Sequence, residues 1–310
     1  MLGEFKRLYE TAHPGVDVQI LDMGSQDAYD RIRTERENPQ ADVWWGAPSA
    51  MFVRAEAESL LARYVPSWDS TVGPALKSGA GVWYATFLTP EVIMYNNHVL
   101  RPDQAPQDWD DLLAPAWRDK ILLRYPLASG TMRTIFCALI ADRNARAGTT
   151  DAGFRWLLRL DANTRGYAAD PTQLYLRIAR EEALVSLWNL PDVIIQTTTN
   201  HYPFGYVIPR SGTPMIADCI GIVRGAPHPE EAIRFYEFVT SRTSLIRQAA
   251  SFYRIPARRD IGDDELPAWL TGLNIREMKV DWDVIGRHEQ AWMKRWDDDI
   301  KGKGTSSQHQ

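Results

Sequence analysis

The sequence predicts an α/β fold organised in two lobes. Apolar strand patterns alternate with amphipathic helix patterns along most of the chain, which is typical of parallel strands joined by crossover helices. At 310 residues the chain exceeds the usual length of one compact core, so two lobes are expected. No glycine- or serine-rich linker divides it. Strands, rather than a flexible tether, are therefore expected to join the lobes.

The bulk composition excludes several classes of protein. The formal net charge is −5 and no basic stripe with interleaved aromatic residues occurs, which argues against nucleic-acid binding. No run of about 18 apolar residues is present, so no transmembrane span is predicted. Met1 leads directly into a helix pattern, and no signal peptide is visible in this chain. Cys137 and Cys219 lie in apolar segments, where we expect buried free thiols; the sequence leaves a disulfide between them open.

The first half of the chain alternates regularly between helix and strand. Phe5, Leu8 and Tyr9 share one face of the first helix, which Pro14-Gly15 ends. The predicted helices here cover residues 2–12, 25–36 and 109–113, and a further helix begins at Pro48. The predicted strands cover residues 16–21, 41–48, 82–87 and 91–96, with a break between the last two at Thr89-Pro90.

The second half continues the alternation. Pro229 opens a long helix, and Glu230 and Glu231 in its first turn favour the helix dipole. The predicted helices cover residues 150–161, 171–180 and 229–239, and a helical pattern resumes after about residue 262. The predicted strands cover residues 183–188, 206–208 and 216–223, and another strand begins at residue 121.

The most informative segment is residues 121–140, where an apolar strand runs through Ala-Ser-Gly-Thr into an apolar helix. Ser129 and Thr131 can cap the helix or donate hydroxyl groups, and Gly130 lets the backbone come close to a ligand. Arg133 falls in the first helical turn, where a cation is unfavourable unless an anion is bound beside it. The pattern therefore predicts an anion site, although a capped helix with a solvated arginine remains an alternative.

Several motifs occur in an order that resembles a known family. The runs are Ala-Asp-Val-Trp-Trp-Gly-Ala-Pro (41–48), residues 83–96, residues 109–121, Ala-Ser-Gly-Thr (128–131) and residues 216–239. Together they resemble the type II periplasmic solute-binding proteins of ABC importers. The resemblance is to the group that includes ferric-iron, phosphosugar and aminophosphonate binders, and it covers roughly residues 1–260.

The resemblance implies a type II periplasmic-binding-protein fold with mixed sheets flanked by helices. Lobe one would comprise residues 1–87 and 210–310, with the C-terminal helices, and lobe two residues 88–209. Hinges are expected near residues 85–90 and 205–215. Members of the family open with a strand before the helix that here begins at Met1. That strand is not found in this sequence, so either the true start lies upstream or the sheet of lobe one is incomplete. Part of the ligand shell would be missing with it.

The resemblance also implies a non-enzymatic transport function. A small anionic solute would be trapped in an interlobe cleft, and closure would present both lobes to an ABC permease of the inner membrane. We expect a monomer that binds no nucleic acid and needs no cofactor. The full-length form would be periplasmic, or extracellular and lipid-anchored.

Ten residues match the positions that line the family's cleft. Trp45, Gly46 and Ala47 would form the wall from lobe one. The candidates from lobe two are Ser129, Gly130, Thr131 and Arg133 as the anion clamp, with Trp188, Asn189 and Asp192 facing the same cleft. Packing of Trp188 within the protein and a solvated loop at Asn189–Asp192 are the alternatives. Asp218 and Arg254 are weaker candidates for which a structural role is favoured.

One departure from the family bears on the ligand. Ferric-binding members carry two adjacent tyrosines after the strand that corresponds to residues 184–188, and this sequence has Asn189-Leu190-Pro191-Asp192 there. Ferric iron prefers phenolate and carboxylate oxygens, so no metal site is predicted, and His201-Tyr202 is interpreted as a loop. A phosphorylated or phosphonate-bearing solute is the preferred ligand, and ferric iron is the alternative.

Two other classes of function have less support in the sequence. The six histidines are scattered and none lies in a catalytic motif, so the sequence does not predict an enzyme. A ligand-sensing domain of a regulator uses the same fold, but such a domain is usually attached to a helix-turn-helix or a membrane segment. Neither is visible in this chain, and the transport function is preferred.

Overall fold

The structure is a computed structural model that describes residues 1–304, apart from the side chain of Asp283. The chain forms two compact units. The first consists of Met1–Thr89 and Ala217–Leu273, and the second of Pro90–Ile216 and residues 274–304. The first two crossings of the chain between the units lie at residues 89 and 90 and at residues 216 and 217. The third, at residues 273 and 274, was not predicted.

The secondary structure follows the predicted alternation of helices and strands. The helices are α1 (Leu2–Ala12), α2 (Ser25–Thr34), α3 (Ser49–Ala57), α4 (Gly130–Ala147), α5 (Ala152–Asn163), α6 (Pro171–Ala179), α7 (Leu190–Thr198), α8 (Pro229–Val239), α9 (Arg242–Phe252), α10 (Ala268–Thr271) and α11 (Trp282–Asp299). The strands are β1 (Val43–Pro48), β2 (Leu61–Ala62), β3 (Tyr84–Asn96), β4 (Ile121–Arg124), β5 (Thr164–Ala168), β6 (Val185–Asn189), β7 (Phe204–Val207), β8 (Met215–Val223) and β9 (Ile255–Pro256).

The first unit is built on an antiparallel sheet around β8. Strands β1 and β2 both pair with β8, and β9 pairs with the first part of β3. Helix α1 covers this sheet with Phe5 and Tyr9, one turn apart and both fully buried. Their rings pack edge-on against Phe238 of α8. The core of this unit is therefore a layer of aromatic side chains between sheet and helices.

The second unit is built on a mixed sheet. The second part of β3 pairs antiparallel with β6 and β7, whereas β4 pairs parallel with both β5 and β6. Helix α4 packs against this sheet and is buried over most of its 18 residues. An apolar helix flanked by the sheet, α5 and α11 supplies the core of the unit.

Two strand predictions differ from the structure. β3 runs without a break through Pro90. Its pairing with β9 ends at Leu88 and its pairing with β6 begins at Glu91, so Pro90 lies between the two pairings. The missing proline N–H therefore costs no hydrogen bond in either pairing. The strand predicted at residues 16–21 is absent, because no neighbouring strand pairs with that segment in the described chain.

The C-terminal segment also differs from its predicted place. The sequence prediction places residues 210–310 in lobe one, but the structure packs residues 210–216 and 274–304 with the second unit. Trp296 of α11 is fully buried, with ring contacts to Tyr125, Phe136 and Tyr167. Burial of this indole against α4 and the strand ends fixes the position of α11.

Both cysteines are free and fully buried, as predicted, and burial raises the pKa of each thiol well above its ordinary value. Because the thiolate is the reactive species, we expect neither Cys137 nor Cys219 to react with a disulfide reagent at pH 8 in the native protein. Both should react in guanidinium chloride, and a Cys137→Ala variant should then yield one thiol. Fast labelling of native protein would contradict the burial of these thiols.

Candidate functional site

The carboxyl edge of the parallel strands in the second unit brings three helix N-termini together. Arg124 at the end of β4 pairs with Ala168 at the end of β5, and Ile121 of β4 is level with Val185 of β6. Each of these strands is followed within a few residues by a helix: α4, α6 and α7 respectively. Unpaired N–H groups at helix N-termini attract anions, and this edge is where α/β sheets bind ligands.

Helix α4 begins as the sequence predicted. Ser129 is the N-cap, and its hydroxyl accepts a hydrogen bond from the Met132 N–H at 3.2 Å. Gly130 and Thr131 are half-buried, and no acidic side chain lies in the first turn. Within residues 1–304, the N–H groups of Gly130 and Thr131 and the Thr131 hydroxyl make no hydrogen bond to the protein. These three donors are available to a ligand.

Arg133 has a structural partner in the second unit. Its side chain is only 9% exposed, and its guanidinium donates to Glu289 Oε1 of α11 at 3.0 Å and to the Leu127 carbonyl at 2.7 Å. The Glu289 carboxylate therefore stabilises a cation at the positive end of the helix dipole, without any bound anion. Contact between Arg133 and a solute stays a prediction.

Trp188, Asn189 and Asp192 form one hydrogen-bonded cluster at the start of α7. Trp188 is 3% exposed, and its Nε1 donates to the hydroxyl of Tyr175 at 2.8 Å. The Tyr175 hydroxyl lies 3.3 Å from Asp192 Oδ2, which also accepts from Asn189 Nδ2 at 2.8 Å. Asn189 caps α7 by accepting from the Asp192 N–H at 2.9 Å. The structure thus packs Trp188 inside the protein and fixes the carboxylate of Asp192.

Two residues at this edge were not predicted. Arg124 is buried and donates to the carbonyls of Ala168 and Ala128, which ties the ends of β4 and β5 to the turn before α4. Tyr175 lies on α6 and joins the cluster around Asp192. An arginine that ends an otherwise apolar strand was a visible signal for Arg124. Nothing in the sequence distinguished Tyr175 from a core aromatic residue.

The three candidates in the first unit lie together on β1. Gly46 has a φ of +95° at a bulge between Trp45 and Ala47, a conformation that favours glycine. Trp45 donates from Nε1 to the Thr86 hydroxyl at 3.3 Å. These residues border a cavity of about 500 Å³ in the first unit, together with Asp218 and Arg254. Asp218 Oδ2 accepts a hydrogen bond from the Thr89 hydroxyl at 2.7 Å.

Neither a metal-binding cluster nor a membrane-spanning helix occurs in the described part of the chain. Residues 1–304 contain no group of three or more His, Cys, Asp or Glu side chains arranged to hold a metal ion. Over the same residues, none of the helices combines the length and apolar character that a bilayer crossing needs.

Comparison with known proteins identifies the family. Residues 5–271 match the family described as bacterial extracellular solute-binding protein, and the chain belongs to this family. A putative 2-aminoethylphosphonate-binding periplasmic protein of Salmonella typhimurium is 28% identical, over 92% of this chain and 84% of the relative. A probable ABC transporter periplasmic-binding protein of Sinorhizobium fredii is 24% identical, over 93% of this chain and 80% of the relative.

The fold is also that of solved periplasmic binding proteins. The structure of AfuA from Actinobacillus pleuropneumoniae, with exogenous fructose-6-phosphate bound, superposes with a TM-score of 0.82 at 21% identity. The match covers 97% of this chain and 95% of AfuA. The predicted two-lobed periplasmic-binding-protein fold and the predicted family are therefore confirmed.

The buried pair of Arg133 and Glu289 gives a test of how α11 is held. In Glu289→Gln the Arg133 charge stays buried without its carboxylate, so we expect the free energy of unfolding to fall by about 3–5 kcal/mol. The double variant Arg133→Met/Glu289→Leu removes both charges and should lie within about 1–2 kcal/mol of the parent protein. Urea denaturation measures both values. A double variant as unstable as Glu289→Gln would show that the lost charge pair is not the cause.

Proposed function

We propose that this chain is the solute receptor of an ABC importer and that its solute is a small organic anion with a phosphate or phosphonate group. The anion binds at the start of α4, on the N–H groups of Gly130 and Thr131 and the hydroxyls of Ser129 and Thr131. The family, the relative described as a putative 2-aminoethylphosphonate-binding protein and the AfuA structure with fructose-6-phosphate bound support this proposal.

The observation that carries the proposal is the set of unsatisfied donors at the start of α4. Two backbone N–H groups and one hydroxyl lie at the positive end of an 18-residue helix, without an acidic side chain in the first turn. A phosphate or phosphonate oxygen can accept from each of them. Because Glu289 already neutralises Arg133, the helix end rather than this arginine supplies the attraction for the anion.

Transport without chemistry is the second part of the proposal. The receptor would hold its solute unchanged, act as a monomer outside the cytoplasm and deliver the solute to a membrane permease. Ferric iron is the less favoured ligand, because Asn189 and Asp192 are committed to capping α7 and to Tyr175 and supply no phenolate pair. Recovery of the solute chemically intact after long incubation supports binding without catalysis.

The Ser129 hydroxyl can be tested against a matched control. Ser129 and Ser241 are both N-caps whose hydroxyls accept a backbone hydrogen bond at 3.2 Å. We expect Ser129→Ala and Ser241→Ala each to lower the free energy of unfolding by about 1 kcal/mol. Only Ser129→Ala should also weaken solute binding, by roughly tenfold to hundredfold for one lost charge-assisted hydrogen bond.

Isothermal titration calorimetry with 2-aminoethylphosphonate, fructose-6-phosphate and ferric citrate measures this binding. Thr131→Val provides a second removal of a hydroxyl at nearly constant volume and should weaken binding to a similar degree. Equal affinities in the parent protein, Ser129→Ala and Thr131→Val would refute the assignment of the site. Tight binding of ferric citrate together with no binding of either phosphorus compound would refute the class of solute.

A further inference from the structure

The ion pair of Arg133 and Glu289 lies beside the donors that are proposed to bind the solute. The Arg133 side chain is 9% exposed and that of Glu289 is 4% exposed, and the two charged groups approach to 3.0 Å. The Arg133 guanidinium also donates to the Leu127 carbonyl at 2.7 Å, two residues before the N-cap Ser129. The pair therefore lies next to the turn that leads into α4. Because both groups are buried, salt screens their electric field only weakly.

The effect of this pair on a bound anion depends on Glu289. A guanidinium alone at this position would attract a doubly charged head group more strongly than a singly charged one, because Coulomb attraction grows with charge. The Glu289 carboxylate accepts a hydrogen bond from that guanidinium and opposes its attraction for the anion. The donors of Ser129, Gly130 and Thr131 remain, and these carry only partial charges.

The donors at the start of α4 do not require a hydrogen atom on the head group. The N–H groups of Gly130 and Thr131 can only donate. The Ser129 hydroxyl oxygen already accepts from the Met132 N–H, so its own hydrogen is left for another acceptor. The first turn of α4, which the structure describes in full, contains no carboxylate that could accept a hydrogen from a P–OH group. A head group with three bare oxygens therefore fits this helix end.

Other charged and titratable groups lie on the elements around α4. Arg124, at the end of β4, donates to two backbone carbonyls, and Asp192, at the start of α7, accepts from two neighbouring side chains. Asp161 of α5 accepts from Tyr167 and from two backbone N–H groups. Burial raises the pKa of the Cys137 thiol on α4 well above its ordinary value, so this thiol stays uncharged. A change at Glu289 leaves these groups in place.

We propose that Glu289 is a positioning residue that sets the solute charge accepted at the start of α4. By neutralising Arg133, it allows a singly charged sulfonate or sulfate-ester head group to bind as well as a phosphonate or phosphate. A sulfonate has three oxygens in the same tetrahedral arrangement but carries one negative charge, whereas a phosphoryl group carries about −1.5 to −2 at pH 7. This inference rests on the proposed function and adds organic sulfur oxyanions to its class of solutes.

Two pairs of solutes that differ in the charge of the head group test this inference. The first pair is 2-aminoethylphosphonate and 2-aminoethylsulfonate, and the second is fructose-6-phosphate and fructose-6-sulfate. Isothermal titration calorimetry at pH 8.5 gives the ratio of the two affinities within each pair, which is the measure of specificity. We expect the parent protein to bind the two members of at least one pair with affinities within about tenfold of each other.

Three variants separate the charge of Glu289 from its packing. Glu289→Gln leaves the Arg133 charge without its carboxylate, and we expect it to raise the preference for the phosphorus compound at least tenfold, because the second negative charge then gains from the cation. Glu289→Asp keeps both charges, and Arg133→Met/Glu289→Leu removes both, so each should keep the parent's affinity ratio within about threefold. The parent protein and the double variant decide the outcome if Glu289→Gln does not fold.

Three results would overturn the inference while the proposed function stands. The parent protein could bind a phosphorus compound at least a hundredfold more tightly than its sulfur analogue, and recovery of sulfonate binding in Asp192→Asn would then assign this discrimination to Asp192. An unchanged ratio in folded Glu289→Gln would show that Glu289 has a structural role alone. A tenfold change of the ratio in the double variant would separate the selectivity from the charge balance. If the parent protein binds neither phosphorus compound, the proposed function fails and this inference fails with it.

Discussion

Parallel pairing of β4 with β5 and β6 is the constraint on which the second unit and its candidate site depend. Parallel neighbours cannot be joined by a tight turn, so each strand end must lead into a helix that returns along the sheet. Three helices consequently begin at one edge, and the first N–H groups of each lack partners within their own helix. At α6 and α7 the side chains of Asp170 and Asn189 each accept a hydrogen bond from one of these N–H groups. At α4 the hydroxyl of Ser129 satisfies the Met132 N–H and leaves those of Gly130 and Thr131 open.

In the proposed site, neutralisation of Arg133 by Glu289 leaves the N–H groups at the start of α4 as the source of attraction for an anion. A cation in the first turn opposes the helix dipole by about 0.3–1 kcal/mol, and pairing with the buried carboxylate of Glu289 offsets that cost. The same pair joins α4 to α11, so the C-terminal helix both completes the core and sets the electrostatics of the site. Attraction for an anion then comes from oriented N–H groups, which favour an acceptor that has several oxygen atoms in a compact head group.

The sequence predicted elements well where local chemistry decides them. Helix α8 has the predicted bounds because Pro229 and two glutamates define its start, and Ser129 caps α4 as its position in the sequence indicated. The predictions failed where residues that are distant in the sequence determine the position of an element. The continuity of β3 through Pro90 depends on which strands pair with it on either side of the proline. The position of α11 depends on the pocket that α4 and two strand ends form for the indole of Trp296. Among the candidate site residues, the free N–H groups of Gly130 and Thr131 could be predicted, but the ion pair of Arg133 could not, because Glu289 is 156 residues away in the sequence.

Residues 16–21 show that an alternating sequence pattern is not sufficient to form a paired strand. Alternation of apolar and polar residues specifies which side chains face the core, and the half-buried positions Val16, Val18 and Ile20 obey it. A ladder also needs backbone donors and acceptors on a second segment at about 4.8 Å. Within the described chain, Lys6 and Glu10 of α1 bond the backbone carbonyl and N–H of Val18, and a cavity of about 720 Å³ is lined by both this segment and residues 40–44. Residues 16–21 therefore lack strand pairing because no partner strand within residues 1–304 lies beside them, although their own sequence pattern fits a strand.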